Sequence, residues 1–450
     1  MNSGAVGIIT RCGCMLVITL QLAGCGDIAE HVPNPFELSS DEAVQEKVFV
    51  AGSGPSSSDL DQIVGKITVI SHGGRDDLEA NGPIETALLG DTAIAAGGHA
   101  YISNPETGSV TAIFAATDTV EGVVRVGIRP GKVALDPSHQ FVFVANQGAV
   151  GDARADSVSV IDAVPTTTTF LQEIGRIQVE DSASDITFST RRDRAFVSNR
   201  LSGTISVIDM DPANVSSFLS TTVSIPVGPS PGVMAYSHDS GHVYVILRFP
   251  TASDSIAIID ADSLGTPDLL SGIPRGNAAD QLPQATFLQA SRNGNFIWVS
   301  FSVQASSSGG IGVIDTATDT LVSRLDLSFT PNRLVEADDA KLFVSGGEGT
   351  DTILVVDASL PTALREVTRI GVGVAGRDRN LAISVDRTRI YVPNVGEVSG
   401  SVSVIDVETH LVLATIPTDG ENPRAIVSIE AGDLEAPDGD AGSDQDHDHG

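Results

Sequence analysis

Short runs in which apolar residues alternate with small or polar ones recur along most of the chain. The alternation is clearest in Ser401–Asp406, where the order is Ser-Val-Ser-Val-Ile-Asp. A period of two is typical of β-strands, so the pattern predicts short strands joined by polar turns. A second type of run, led by an aromatic residue, precedes each run of this kind. The leading residues of its eight copies are Phe49, Tyr101, Phe143, Phe196, Tyr244, Trp298, Phe343 and Tyr391.

Successive leading aromatics lie about 42 to 54 residues apart, and this period indicates a propeller rather than one irregular core. The clearest unit has an aromatic-led strand at 195–198, which is followed by a strand at 204–209 and by a proline-containing outer strand at 221–227. The innermost strand of the next unit follows at 233–236. We therefore predict an all-β, closed β-propeller of four-stranded antiparallel blades that spans residues 47–430.

The two ends of the repeat predict how the ring closes. The first unit begins at Val48 with an aromatic-led strand and has no innermost strand before it, whereas the last unit is followed by a lone strand at 424–429. Eight blades result if this C-terminal strand joins the N-terminal blade, which removes exposed sheet edges. Seven blades remain the alternative, if the first unit packs outside the ring.

The strand sequences resemble the YVTN family of β-propellers. The resemblance rests on Tyr391-Val392-Pro393-Asn394, on the Ser401–Asp406 strand and on Ala414-Thr415-Ile416-Pro417. It extends over about residues 47 to 430 and implies a closed ring of blades. It implies no metal site, and lactonases and subunits of quinone-linked dehydrogenases share the propeller.

The N-terminus predicts export. Arg11 precedes a short apolar run, and Leu22-Ala23-Gly24-Cys25 resembles a bacterial lipobox. The resemblance implies a lipoprotein signal peptide at 1–24 and a lipid on Cys25, and Gly26 after it suggests the outer membrane. An ordinary signal peptide is the alternative. We expect a tether at 25–46 and an acidic, disordered tail at 431–450.

The charge of the chain excludes some partners. The formal net charge is -32, with only 26 Lys and Arg. Such acidity argues against nucleic-acid binding and favours a soluble, mutually repelling monomer. The other cysteines, Cys12 and Cys14, lie in the predicted signal peptide, so we expect no disulfide or covalent haem in the mature domain.

The repeated polar residues predict turns rather than catalysis. An Asp ends most of the runs that follow an aromatic-led run, an Asn ends several of the aromatic-led runs themselves, and both residues stabilise turns. We predict no catalytic residues, no metal site and no cofactor. His99 and His139 are poor catalytic candidates, since they fall at hairpin turns away from the blade crossings. The residues in question are Asp162, Asp209, Asp260, Asp315, Asp357 and Asp406, with Asn104, Asn146, Asn199 and Asn394.

Basic residues at the crossings between blades are the candidate ligand-binding residues. In a propeller these crossings surround one mouth of the central channel, where a cationic rim on an acidic body would attract anions. The alternative is that they pair with nearby acids such as Asp185 and Asp378. The candidates are Arg129, Lys132, Arg333, Arg377, Arg379 and Arg424.

Three functions follow as hypotheses. The first is a lipid-anchored binding or scaffold protein for an envelope protein or a small anionic ligand. The second is a propeller enzyme or dehydrogenase accessory subunit, lactonase-like or quinone-linked, with its site at the channel mouth. The third is a surface antigen recognised through loops at 52–65 and 147–157. The lack of a convergent catalytic set favours the first.

Overall fold

The computed structural model describes most of the chain between residues 46 and 429. The gaps within this range are 56–62, 73–77, 87–92, 97, 150–155, 192, 249–253, 264–265, 275–281, 304–305, 339–340, 348, 376–379, 397–399, 419–422 and 424. The predicted signal peptide, Cys25, the acidic tail and all of the predicted tether except Glu46 lie outside the described residues.

The described residues form eight four-stranded antiparallel sheets, numbered here as blades 1 to 8. Blade 1 holds β1 (Glu46–Pro55), β2 (Ile63–His72) and β3 (Leu78–Thr86). Blade 2 holds β4 (Ala93–Ala96), β5 (His99–Asn104), β6 (Ser109–Phe114) and β7 (Thr119–Arg125). Blade 3 holds β8 (Pro130–Leu135), β9 (Phe141–Asn146), β10 (Ser157–Asp162) and β11 (Glu173–Gln178). Blade 4 holds β12 (Ala183–Ser189), β13 (Arg194–Asn199), β14 (Thr204–Asp209) and β15 (Ser220–Pro226).

The second half of the ring repeats this order. Blade 5 holds β16 (Pro231–Ser237), β17 (His242–Leu247), β18 (Asp254–Asp260) and β19 (Asp268–Pro274). Blade 6 holds β20 (Gln284–Ala290), β21 (Phe296–Ser302), β22 (Gly309–Asp315) and β23 (Thr320–Leu327). Blade 7 holds β24 (Pro331–Asp338), β25 (Lys341–Gly346), β26 (Thr352–Asp357) and β27 (Arg365–Gly371). Blade 8 holds β28 (Ala382–Ile383), β29 (Arg389–Asn394), β30 (Ser401–Asp406) and β31 (Val412–Pro417), and the last strand is β32 (Ala425–Ile429).

The C-terminal strand closes the ring. β32 pairs antiparallel with β1 from Lys47 opposite Ile429 to Ala51 opposite Ala425, so blade 1 has the order β3-β2-β1-β32. This confirms the predicted eight blades and excludes the seven-bladed alternative. The first unit stays in the ring because β32 supplies the innermost strand that the N-terminal part of the blade lacks.

The hydrophobic core consists of layers between adjacent blades. The aromatic-led strands are buried on both faces, as β13 shows with its central residues Ala195, Phe196 and Val197 fully buried. Phe196 belongs to a cluster that also contains Val243 and Val245 from the next blade. Full burial of such a side chain contributes about 1.5–3 kcal/mol. The recurring aromatic therefore binds each blade to its neighbour.

Polar atoms of the leading aromatics also join blades. The Tyr244 hydroxyl donates to Asp319 Oδ1 of blade 6 at 2.5 Å, and Trp298 Nε1 donates to Glu336 Oε2 of blade 7 at 2.9 Å. The Tyr391 hydroxyl donates to Glu46 Oε2 of blade 1 at 3.4 Å. In the described part of the chain, the buried Tyr101 hydroxyl has no hydrogen-bond partner.

Five of the six repeated aspartates stabilise turns, as predicted. Asp162 accepts hydrogen bonds from the Val164 amide at 2.9 Å and from the Thr167 and Thr169 hydroxyls at 2.6 Å. Burial alone would raise the pKa of Asp162, but these hydrogen bonds lower it below its usual value. Turn contacts of the same kind are made by Asp209, Asp315, Asp357 and Asp406.

The repeated asparagines act differently from the prediction. Asn146 Nδ2 donates to the hydroxyls of Ser157 at 3.2 Å and Ser159 at 2.9 Å on the neighbouring strand, rather than to the turn that follows. The turn role predicted for the Asn side chain is therefore wrong, because the side chain is buried and faces the next strand of its own blade. Asn104, Asn199 and Asn394 make equivalent pairs of hydrogen bonds.

Candidate functional site

One end of the central channel collects two kinds of connection. Because neighbouring strands are antiparallel, the crossings between blades and the turns between second and third strands lie at the same end. We call this end the crossing face. A cavity of about 820 Å³ opens there, and residues of six innermost strands line it. Those strands are β8, β12, β16, β20, β24 and β32.

Basic side chains concentrate at this cavity. Three of the predicted ligand-binding residues, Arg129, Lys132 and Arg333, line it together. The other three, Arg377, Arg379 and Arg424, lie outside the described residues. Arg200 and Arg248 also line the cavity and were missed from the sequence. Each follows directly after a second strand, and the antiparallel topology would have placed both at the crossing face.

Three of these arginines are exposed and have no described acidic partner. Arg129, Arg200 and Arg248 are exposed, and no ion pair joins them to a carboxylate within the described residues. Arg129 has a φ of 53°, a conformation that costs energy for a residue with a Cβ. The Arg248 side chain covers Gly232, where a Cβ would lie 3.1 Å from Arg248 Nε. The glycine therefore gives Arg248 room beside the channel.

Lys132 forms an ion pair with an acidic residue, which is the alternative considered from the sequence. Its Nζ lies 3.7 Å from Asp185 Oδ1 in the adjacent blade. Asp185 Oδ2 also accepts a hydrogen bond from the Met234 amide at 2.8 Å, so this carboxylate links three blades. Lys132 keeps 39% of its side chain exposed, so its ammonium remains accessible from the cavity.

Amide and aromatic groups hold Arg333 at the cavity. Its Nε donates to Asn380 Oδ1 at 3.1 Å, and its Nη1 donates to Asn332 Oδ1 at 3.3 Å. The guanidinium lies 4.8 Å from the centroid of the Phe287 ring. The amide oxygens and the aromatic face orient the guanidinium at the wall of the cavity.

Apolar side chains lie deeper in the same channel. Lys132 and Arg333 are each the third residue of their innermost strand, whereas Phe188 is the sixth of β12. At about 3.3 Å per residue this places Phe188 about 10 Å further from the crossing face. Phe188 packs edge-on against Phe143, with ring centroids 5.4 Å apart, and remains partly exposed. The cavity thus has a cationic rim and a partly aromatic interior.

The histidines His99 and His139 lie at the end of the propeller opposite the crossing face. His99 begins β5, contacts Glu121 and stacks on Phe114 with centroids 5.0 Å apart. His139 lies in the turn between β8 and β9. Among the described residues no group of three or more His, Cys, Asp or Glu side chains is arranged to hold a metal ion. Of the same residues, none forms a helix with the length and hydrophobicity needed to cross a membrane.

The chain is a β-propeller, and its fold is similar to those of several solved structures. Hydrazine synthase of Kuenenia stuttgartiensis is 20% identical, with a TM-score of 0.53 over 71% of this chain and 96% of that chain. Dihydro-haem d1 dehydrogenase NirN is 16% identical, with a TM-score of 0.62 over 87% and 76%. AztD from Citrobacter koseri is 14% identical, with a TM-score of 0.59 over 86% and 98%.

Sequence comparisons identify no family. No protein-family model matches the chain, and no curated protein sequence matches it. At identities of 20% or below the similarity to solved structures concerns the fold alone, and one propeller fold supports many unrelated functions.

Proposed function

We propose that this protein is a lipid-anchored propeller of the bacterial cell envelope that binds a small anionic ligand at the crossing face. Cys25 carries the lipid, and the propeller presents its cationic cavity to the surrounding solution. The role is binding rather than catalysis. The observation that carries the proposal is the convergence of Arg129, Lys132, Arg200, Arg248 and Arg333 on one cavity.

The charge distribution supports this function. The chain has a net charge of -32, yet five of its 26 basic residues line one cavity. Cations grouped in a cleft of an acidic protein focus the local field and raise the concentration of anions there. The exposed arginines supply planar donors suited to carboxylate or phosphate groups. Binding driven in this way weakens as the ionic strength rises.

Isothermal titration with citrate and with inorganic phosphate tests the proposal. We expect Arg333→Gln and Arg248→Gln each to weaken the binding of the tighter anion about tenfold, the loss of one charge-assisted hydrogen bond. Arg191→Gln is the matched control, since it removes the same charge from a turn at the other end of the channel, where Arg191 pairs with Asp262 at 3.6 Å. Equal affinities in all three variants would contradict the proposal.

The lipid anchor has a separate test. We expect cells that express the full chain to incorporate labelled palmitate into the protein, and we expect the Cys25→Ser variant to lose the label and to leave the membrane fraction. The variant should leave the membrane because stable attachment to a bilayer needs two or more acyl chains. Retention of the label in Cys25→Ser would show that the lipid lies elsewhere, without affecting the anion site.

A further inference from the structure

Three arginines at the cavity belong to the same backbone element of three consecutive blades. Arg129 directly precedes the innermost strand of blade 3, and Arg200 and Arg248 directly follow the second strands of blades 4 and 5. In each of these blades one backbone hydrogen bond joins the crossing to the residue after the second strand. We call the three residues the arginine arc. The bonded pairs are Arg129 with Gln147 at 3.1 Å, Ser182 with Arg200 at 2.9 Å, and Ser230 with Arg248 at 3.0 Å.

The same element carries no charge in blades 7 and 8. The equivalent hydrogen bond joins Thr330 to Gly347 at 2.9 Å in blade 7 and Val374 to Val395 at 2.9 Å in blade 8. The element therefore forms without arginine, so the arc is not needed to build the crossing. The concentration of three arginines on one side of the rim indicates a role in binding.

No described residue neutralises the arginine arc. All three side chains are exposed, and within the described residues no ion pair joins them to a carboxylate. Among the described residues that line the cavity, Asp185 is the one acid, and its carboxylate lies 3.7 Å from Lys132 Nζ. Three neighbouring guanidinium groups repel one another, and an anion between them offsets this repulsion. The arc therefore favours an anion that carries more than one charge.

The geometry of the donors favours one kind of anionic group. A carboxylate has two oxygens, and a single bidentate arginine can occupy both of them. A phosphoryl group presents three acceptor oxygens and carries nearly two negative charges at neutral pH. Arg200 lies on the middle blade between Arg129 and Arg248, and all three side chains line one cavity. Each arginine can thus donate to a different oxygen of one phosphoryl group.

We propose that the arginine arc binds a dianionic phosphoryl group, as inorganic phosphate or on an organic monoester. Each free oxygen of the group accepts hydrogen bonds from one arginine of the arc. This inference rests on the proposed function, because it specifies which anion the same cavity binds and which of its basic residues select it. Arg333 belongs to blade 7, on the other side of the ring, and is not part of the arc.

Four probes test the selectivity in calorimetric titrations of the full-length protein at pH 8 and low ionic strength. Inorganic phosphate and butyl phosphate are dianions with three free oxygens, butyl sulfate has the oxygens with a single charge, and butylmalonate has two charges on planar carboxylates. We expect both phosphoryl compounds to bind at least tenfold more tightly than butyl sulfate and butylmalonate. The tighter of the two phosphoryl compounds identifies the source of the group.

Variants locate the selectivity in the arc. Arg129→Gln, Arg200→Gln and Arg248→Gln should each weaken butyl phosphate about tenfold, the loss of one charge-assisted hydrogen bond, and reduce its preference over butylmalonate. Arg333→Gln should weaken butyl phosphate and butylmalonate by similar factors and so keep the preference. Arg191→Gln, at the other end of the channel, should change neither affinity. Thermal melts establish that each variant is folded, and three arc variants guard against the loss of one.

The outcomes distinguish this inference from the proposed function. If butylmalonate binds as tightly as butyl phosphate, the phosphoryl preference is wrong and the proposed function stands. If butyl sulfate does so, the second charge is wrong. If the arc variants keep the preference of the wild type, the arc does not select the ligand. If no anion binds to the folded wild-type protein, the proposed function fails and this inference fails with it.

Discussion

Single polar atoms on the leading aromatics distinguish one blade junction from another. Tyr244 and Tyr101 occupy equivalent positions, and both are fully buried. Asp319 accepts a hydrogen bond from the Tyr244 hydroxyl, whereas the Tyr101 hydroxyl has no partner among the residues that the structure describes. Leu171, a residue with positive φ in the third-to-fourth-strand turn of blade 3, corresponds to Asp319 of blade 6. A buried hydroxyl without a partner lowers stability, while one bonded to a carboxylate contributes to it. The hydroxyls of these two equivalent tyrosines therefore have opposite effects on the stability of the fold.

We expect Tyr244→Phe and Tyr101→Phe to change stability in different directions. Tyr244→Phe should lower the free energy of unfolding by about 1–3 kcal/mol, because a charge-assisted hydrogen bond is lost. Tyr101→Phe should leave it unchanged or raise it, because no hydrogen bond is lost and an unpaired hydroxyl is removed. Urea unfolding monitored by circular dichroism measures both, and equal destabilisation by the two substitutions would refute the assignment.

The same junction makes stability depend on pH. His242 Nδ1 lies 3.1 Å from Asp319 Oδ2, and the hydrogen bond to Asp319 raises the pKa of His242 above 6.5, while its burial acts in the opposite direction. Asp260 and Asp262 raise the pKa of His242 further. A pKa raised by folding adds stability that is fully present below the unfolded pKa of about 6.5. The contribution is lost as the pH rises through the folded pKa.

We therefore expect His242→Phe to cost more stability at pH 5.5 than at pH 8.5. Phenylalanine suits the site, because Phe141 occupies the equivalent position in blade 3. Comparison of wild type and variant at each pH cancels the other titrating groups. Denaturant unfolding at the two pH values provides the measurement. A difference independent of pH would mean that the imidazolium–carboxylate contact contributes nothing.

At the scale of elements, the second strand of blade 3 and that of blade 8 are fitted to the crossing that enters the blade. The buried Asn146 at the end of β9 lies under the crossing from blade 2, where a Cβ on Gly127 would come within 2.5 Å of Asn146 Cγ. Blade 8 repeats the arrangement, since a Cβ on Gly373 would lie 2.6 Å from Asn394 Cβ. These glycines let a crossing lie directly on the strand end and so help to shape the rim.

We expect Gly127→Ala to lower the free energy of unfolding by about 1–3 kcal/mol, because the added methyl group overlaps Asn146. The double variant Gly127→Ala with Asn146→Ala should recover part of this loss, since the smaller side chain gives the methyl group room. A double-mutant cycle measured by chemical denaturation quantifies the coupling. Strict additivity of the two substitutions would argue against the contact.

At the scale of the molecule, closure by β32 joins the two ends of the described chain into one ring. Five register pairs connect β32 to β1, and Ile429 packs with Phe49 in one core cluster. Without β32, blade 1 would expose the edge of β1 and the apolar surface beneath it. An exposed strand edge is a template for aggregation.

We expect truncation after residue 423 to abolish cooperative unfolding at the wild-type temperature and to produce aggregates. Truncation after residue 430 removes only the acidic tail and should leave the melting temperature within a few degrees of the wild type. Differential scanning calorimetry and size-exclusion chromatography measure the two effects. A truncated chain that ends at residue 423 and melts like the wild type would show that the ring does not need β32.

The sequence predicts structural features that depend on neighbours in the chain better than features that depend on residues far apart in the chain. The alternation in runs such as Ser401–Asp406, and the turn role of Asp162, follow from neighbours in the chain, so both were predicted. The missing innermost strand before Val48 even predicted ring closure. Asn146 was assigned wrongly, because its hydroxyl partners Ser157 and Ser159 lie on the next strand across a loop. The hydrogen bond from Trp298 to Glu336 was not predicted, because it joins two different blades.

The sequence by itself determined a closed ring of four-stranded blades and predicted eight of them, because repetition of a local strand pattern and the unpaired strands at its two ends admit few closures. It also placed Arg129, Lys132 and Arg333 at crossings. Only the tertiary structure decided that these residues share one cavity with Arg200 and Arg248, and that Phe188 and Phe287 lie inside it. The physical reason is that a propeller brings residues together through the rotation of successive blades, so groups hundreds of positions apart meet at one mouth.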